Sequence, residues 1–200
     1  ALAVWLLHDE YDYINTPNYI SATRLMKPLR QLVLPSRIKP EEKTSDVSDY
    51  ISRALGHSLH DSIEKAWKMG YKRGLKLLGY PDAMIERIAI NPDPLQVEAN
   101  PELIPIYLEQ RAIRSLGGYN IGGKFDMVAE GIVHDNKSTS AYTWLYGGRD
   151  EEHQLQGSIY RWLNPDKITA DFIRICYIFT DWQKAAAKSN PNYPQSRVAT

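Results

Sequence analysis

A single cysteine, Cys176, occurs in 200 residues, and it lies inside an apolar run. One thiol excludes a disulfide framework and any four-cysteine zinc or iron–sulfur site within the chain. It suits a reducing compartment, and its apolar setting marks it as a packing residue rather than a nucleophile. Long apolar runs are also missing: nothing approaches the ~20 residues of a membrane-spanning helix. The apolar start, residues 1–7, is too short for a signal-peptide core and runs into Asp9, Glu10 and Asp12, so it is expected to be a buried strand or helix end. There is no excess charge of either sign. Lys and Arg number 24, as do Asp and Glu; residues 1–100 carry 13 of each and residues 101–200 carry 11 of each. Bulk attraction to a polyanion is therefore excluded, and any such affinity must come from local patches or bound cations. Internal repeats and low-complexity tracts are absent. So is a G-x-x-x-x-G-K-[ST] loop, which excludes a nucleotide-driven motor of that type.

What is present suffices for one folded domain: 43% of residues are hydrophobic and 24% charged. Residues 20–38 predict a short helix interrupted near Pro28, starting after Ser21 and bearing Arg24, Lys27, Arg30 and Arg37. Residues 39–45 read as a charged connector. Residues 1–44 are thus expected to be an N-terminal extension with a basic helix, and residues 45–200 the core. Over 45–78 the apolar positions Val47, Ile51, Ala54, Leu55, Leu59, Ile63, Ala66 and Trp67 recur every three or four residues, which predicts a long helix. Gly56 and Gly70 are expected to bend or break it. Residues 80–105, rich in proline and asparagine, read as loop with one helical turn. Three strands are expected at 106–114, 119–129 and 131–138, turning at Gly117-Gly118 and Glu130-Gly131. A second helix is predicted over 150–163, with Leu155, Ile159, Trp162 and Leu163 as its apolar stripe. A buried strand follows over 171–180 and a further helix over 181–188. The class is a mixed α/β fold.

The chemistry concentrates on the second and third strands. A hairpin brings Asp126 beside Asp135, and two adjacent carboxylates repel unless a cation lies between them. Hard oxygen ligands suit Mg2+ or Mn2+. Lys137, two residues past Asp135, emerges from the same strand face, where an ammonium can orient water and offset developing charge on a phosphate. Ordinary hairpin surface charge gives the same triplet. On the long helix, His60 lies one turn from Glu64 and can add a nitrogen ligand, with His57 as the competing choice. Gln156 and Tyr160 are one turn apart on the second helix, either functional or a tyrosine satisfying its own hydroxyl at an interface. Glu109, on the first strand, either joins the cluster through water or ends in solvent.

Together these residues resemble the PD-(D/E)xK nuclease superfamily, and within it the RecB-like exonuclease branch. The matching signature runs from Gly56, His60 and Glu64 through Gly123-Lys-Phe-Asp126 and Asp135-Asn-Lys137 to Gln156 and Tyr160, over about half the chain. The resemblance implies a restriction-endonuclease-like αβββαβ core. It implies that His60, Asp126, Asp135 and the backbone carbonyl of Asn136 are metal ligands, that Lys137 is the catalytic lysine, and that Gln156 and Tyr160 support it or contact substrate. The expected activity is metal-dependent DNA hydrolysis, with an exonuclease favoured over a restriction-type endonuclease or an inert DNA- or protein-binding relative. A cytoplasmic role in bacterial or phage recombination, repair or replication suits the branch, with any helicase or recombination partner a separate chain. Phosphate contacts are expected from Lys65, Lys68, Lys72 and Arg73, a run without an intervening acid, and from Arg24 and Arg30, unless these line a merely solvated face. Tyr142, Trp144, Tyr146 and Arg149, placed in the loop after the catalytic strand, are expected either to stack unpaired bases of single-stranded or frayed DNA ends or to pack in the core.

Overall fold

The computed structural model describes residues 2–8, 12–37, 46–147 and 149–200. The expected connector at 39–45 and the acids Asp9 and Glu10 lie outside these. A seven-stranded mixed sheet organises the chain. Before it come α1 (Leu2–Leu7), β1 (Tyr19–Ser21), α2 (Ala22–Leu25), α3 (Leu29–Val33) and the long α4 (Ile51–Leu77); α5 (Asp82–Ile85), β2 (Ile88–Ile90) and α6 (Pro94–Ala99) follow. The central strands are β3 (Ile104–Leu116), β4 (Tyr119–Ala129) and β5 (Ile132–Thr139). Then come α7 (Ala141–Leu145), α8 (Asp150–Leu163), β6 (Ile173–Phe179), α9 (Lys184–Ser189) and β7 (Val198–Ala199). The spatial order is β2-β3-β4-β5-β6-β7, and β1 also pairs with β4. The β2/β3, β5/β6 and β1/β4 pairs are parallel; the others are antiparallel.

The long helix, the three-strand meander and α8 form where periodicity placed them. Both hairpins turn through residues at positive φ, Gly117 and Gly118 in the first and Glu130 and Gly131 in the second, as right-twisted strands joined by two residues require. The 27-residue α4 is about 40 Å long. It starts behind a short 3-10 turn, Val47–Tyr50, that Asp46 caps by accepting from the Ser48 N–H at 2.8 Å. Contrary to expectation, Gly56 and Gly70 neither break nor end it, because each costs a helix only ~1 kcal/mol relative to alanine.

Other expectations are corrected. The interruption expected near Pro28 is present, separating α2 from α3, but residues 20–21 belong to β1 and Leu34–Arg37 form a 3-10 turn, so the helical segment is shorter than expected. β1 pairs with β4 and Ala22 enters the main core cluster, so the segment expected to be an extension contributes to the sheet. α1 leaves Leu2, Val4 and Leu7 exposed and buries only Leu6. Residues 80–105 hold two short helices and β2, which pairs with β3. The last helix starts at Lys184, because Asp181 is used elsewhere: its carboxylate accepts from the Ser140 hydroxyl and the Ala141 N–H, fixing the start of α7. β6 is mostly half-buried rather than wholly buried, with Arg174 exposed. On α8 the buried face is His153, Gln156, Ile159, Tyr160 and Leu163, while Leu155 and Trp162 point outward. Of the expected stripe, Ile159 and Leu163 are buried, while the places expected for Leu155 and Trp162 are taken by the polar side chains His153, Gln156 and Tyr160.

Two core layers sandwich the sheet. On one face Trp67, Tyr71 and Leu75 of α4 pack on Ile88, Ile106, Leu108 and Ala129. On the other, Ile159, Tyr160 and Leu163 of α8 pack on Phe125, Val128 and Val133. A regular strand sends alternate side chains to opposite faces. In β3, Ile106 and Leu108 face α4, yet Ala112 faces α8; in β4, Met127 and Ala129 face α4, yet Phe125 faces α8. The alternation therefore resets by one residue in both strands. The reset falls between Leu108 and Gln110 on β3 and between Phe125 and Met127 on β4, facing positions whose pairing register is the same on either side. The residues absorbing it are Glu109 and Asp126.

Candidate metal centre

β4 shares one of its edges between two partners. β5 pairs with residues 127–129 and β1 with residues 120–122, so among the described residues 123–126 have no ladder partner on that side. β5 parts from β4 beyond the Met127–His134 pair and continues along β6. Asp126 and Asp135 stand at this fork. The Asn136 N–H donates to Asp126 Oδ2 at 3.2 Å, so a side-chain carboxylate replaces the lost backbone acceptor.

Three further elements converge there. α4 brings His60, whose Nδ1 lies 3.0 Å from Asp126 Oδ2. β3 brings Glu109 at φ 52°, a left-handed conformation that costs a non-glycine residue ~1 kcal/mol or more and is concentrated at functional sites. Its carboxylate pairs with Lys124 Nζ at 2.6 Å. One ligand atom from each of His60, Glu109 and Asp126 lies within 4.8 Å of the others. Ligands about 2.1 Å from one Mg2+ are separated by at most about 4.2 Å, so a small inward rotation puts all three on one cation.

Asp135 is 1% exposed. The Lys137 ammonium lies 2.9 Å from Oδ1 and 2.7 Å from Oδ2. Only the Oδ1 contact is aligned as a hydrogen bond, which leaves buried Oδ2 without an aligned donor. A buried carboxylate oxygen held by an ion pair rather than an aligned hydrogen bond thus lies in the same cavity as the three candidate ligands. Asp135 itself lies outside the His60–Glu109–Asp126 grouping, and Glu109 occupies the place that the sequence assigned to it.

The electrostatics divide the carboxylates. Burial pushes Asp135 up to about 6; Asp126 adds to the rise, and Lys137 and His60 oppose it. Burial also raises Glu109, against the pull of Lys124. For Asp126 burial acts upward too, but the His60 hydrogen bond, the charges of His60 and Lys137 and the Asn136 N–H together hold it below the usual range. The Asp126 hydrogen bond raises His60, with burial opposing. One acid is thus kept anionic while its neighbour resists ionising, a separation found where proton and metal chemistry occur.

A cavity of about 540 Å3 opens over the cluster, lined by His60, Glu109, Asp126, Asp135, Lys137, Gln156 and Tyr160 among others. Gln156 Nε2 donates to the Tyr160 hydroxyl at 2.9 Å, and both are buried. Tyr160 reaches the sheet because residue 123 is glycine: a Cβ there would lie 2.9 Å from its ring. Gly56, by contrast, has ordinary room for a Cβ, 3.8 Å from Ser138 Oγ. His57 lines the cavity but stands outside the ligand grouping, and Asn136 borders a small recess next to His60.

Most residues expected to meet DNA are placed elsewhere. Lys65, Lys68, Lys72, Arg73, Arg24 and Arg30 do not line the cavity. The run on α4 is also less basic in space than in sequence: Lys68 pairs with Glu64 at 2.5 Å, Lys72 with Glu86 at 2.7 Å and Lys76 with Asp82 at 3.1 Å. Tyr142 and Trp144 lie on α7, not in a loop, and Tyr146 caps its end. Trp144 packs edge-on against Phe179 and, with Arg149, lines a separate pocket of about 230 Å3. The cavity instead receives Arg53, Lys124, Trp5 and His8. Arg53 was legible, two helical turns before His60, and so was Lys124, two residues before Asp126. Trp5 and His8 carry no such signal, since they arrive only by the docking of α1 near α4.

No family model matches the chain, and no curated protein matches it. Its fold is shared with a solved structure. That structure, described as the crystal structure of SSO0001, is 21% identical and superposes with a TM-score of 0.54, over 90% of this chain and 71% of the other. At that identity the likeness establishes the mixed α/β fold alone.

Proposed function

We propose that the chain is a divalent-metal-dependent nuclease that hydrolyses DNA phosphodiester bonds, acting from strand ends on a restriction-endonuclease-like core. The observation that carries this reading is the meeting of His60, Glu109 and Asp126 within 4.8 Å of one another, beside the Asp135–Lys137 pair, at the floor of one cavity. The succession α4, β3-β4-β5, α8, β6 supports it. The donors, one imidazole and oxygens, fit Mn2+ or Mg2+ rather than a thiophilic ion.

A divalent cation supplies Lewis acidity and charge neutralisation at the scissile phosphate. The chain does the rest. His60, Glu109 and Asp126 would hold the cation, and buried Asp135, which resists ionising, accepts a proton more readily than an ordinary aspartate. The Lys137 ammonium, 2.7 Å from Asp135 Oδ2, would orient the attacking water and offset charge on the phosphate. Gln156 and Tyr160 brace this corner from α8. Arg53, and Lys124 beside Glu109, also line the cavity and would meet the entering phosphates.

End-labelled single- and double-stranded DNA, incubated with Mg2+, Mn2+ or EDTA, tests the proposal. Metal-dependent loss of terminal nucleotides is expected, abolished by Lys137→Ala and by Asp126→Ala. Cutting of closed circles would replace the exonuclease with an endonuclease. Binding without cleavage in either metal would defeat the enzymatic reading.

A further inference from the structure

Asn91, the residue that follows β2, has φ 49°, and Glu109 has φ 52°; with Asn18 and Glu130 they are the non-glycine residues at positive φ among those described. Asn91 hydrogen-bonds the two neighbours of Glu109, Leu108 and Gln110. β2 stops at Ile90, where its parallel pairing with β3 ends at Ile106. The Asn91 N–H still donates to the Ile106 carbonyl at 2.8 Å. Beyond that point its side chain takes over from the missing strand. Asn91 Oδ1 accepts from the Leu108 N–H at 2.7 Å, and Nδ2 donates to the Leu108 carbonyl at 3.3 Å. Oδ1 also accepts from Gln110 Nε2 at 3.1 Å. One primary amide therefore holds the residues on both sides of Glu109.

The Leu108 carbonyl belongs to the peptide plane that leads into Glu109. Pinning that plane fixes the rotation from which φ of Glu109 is measured. A primary amide is suited to this, because it offers a donor and an acceptor as a neighbouring backbone peptide would. Asparagine also tolerates the left-handed conformation that brings its own side chain round to β3. Gln110, held from one side by Asn91, is held from the other by Lys167.

We infer that Asn91 is a positioning residue for the metal centre: its side-chain amide holds β3 in the face-reversing conformation that presents Glu109 to the cation alongside His60 and Asp126. The inference rests on the metal-binding reading above. Asn91 touches neither the cation nor the substrate, and it acts through Glu109.

Mn2+ binding, followed by titration calorimetry and by loss of the free-ion spin-resonance signal, tests this without any turnover. Asn91→Gly keeps the backbone free to adopt φ 49° and removes the amide. Asn91→Asp keeps the acceptor for the Leu108 N–H and loses the donor to the Leu108 carbonyl. Asn91→Gly is expected to weaken Mn2+ binding at least tenfold and Asn91→Asp to a lesser degree. In a Glu109→Gln background the same Asn91→Gly change is expected to shift the Kd less than twofold, because the group being positioned has already been lost. Equal weakening in both backgrounds would show general damage and overturn the inference, as would an unaltered Kd for Asn91→Gly. If the unaltered chain takes up no Mn2+, the metal centre itself fails and this inference falls with it. Melting temperatures in EDTA identify any variant that has not folded, and Asn91→Asp then supplies the comparison.

Discussion

Replacing Asp135 by asparagine should make the metal-free protein more stable at neutral pH while destroying its proposed activity. Asp135 is 1% exposed, and burial pushes it up to about 6 from an ordinary 3.8. Its folded-state value thus exceeds its unfolded one. Below pH ~4 the carboxyl is protonated in both states and the folded state bears no penalty. As pH rises through 6 the unfolded chain holds fewer protons than the folded one, so stability falls. A shift of a little over two pKa units, at 1.36 kcal/mol each, amounts to about 3 kcal/mol by pH 8. Asparagine has the same shape, carries no charge and keeps an oxygen for the half-exposed Lys137. Urea unfolding in EDTA at one-unit steps from pH 4 to 8 measures the difference between Asp135→Asn and the unaltered chain. The difference should be near zero at pH 4 and grow to about 2–3 kcal/mol in favour of the variant at pH 8. Because other titrating groups are common to both proteins, they largely cancel. A difference that stays flat, or that turns against the variant as pH rises, would refute the account of Asp135 as a carboxylate held against its preference.

The other predictions concern the elements around it. Glu109→Gly should be about 1 kcal/mol more stable in EDTA than Glu109→Ala, because glycine alone adopts φ 52° without strain; identical melting curves would remove the strain argument. His60→Gln should weaken Mn2+ binding at least tenfold in calorimetry and His57→Gln less than twofold, since only His60 stands in the ligand grouping; equal losses would reject that assignment. Gly123→Ala should cost ~1–3 kcal/mol in denaturant unfolding, because its Cβ would come within 2.9 Å of the Tyr160 ring. The same change at Gly56, inside α4 with only an ordinary contact for its Cβ, should instead stabilise the fold by up to ~1 kcal/mol.

Local patterns in the chain determined a good deal: the long α4, the three-strand meander with turns at Gly117-Gly118 and Glu130-Gly131, α8 from Asp150 to Leu163, and the pairing of Asp126 with Asp135 and Lys137 near one hairpin. These depend on helical and strand periods and on glycine in turns, all of which act over a few residues. The same rules failed where the periods fail. Alternation by two cannot reveal that β3 and β4 both reverse their faces at Glu109 and Asp126, so the sequence left Glu109 at the margin of a cluster in which the fold includes it. Hydropathy placed the buried stripe of α8 on Leu155, Ile159, Trp162 and Leu163; Ile159 and Leu163 are buried, but the helix also buries Gln156 and Tyr160, which hydrogen-bond each other beside the cavity, and leaves Leu155 and Trp162 outside. A run of lysines on α4 promised a basic surface, but Asp82 and Glu86, on the segment that follows the helix, fold back onto Lys76 and Lys72. Tertiary structure alone decided these points, because each depends on which strand edge ends, which chain folds over it and which distant amide, such as that of Asn91, fills the space left behind.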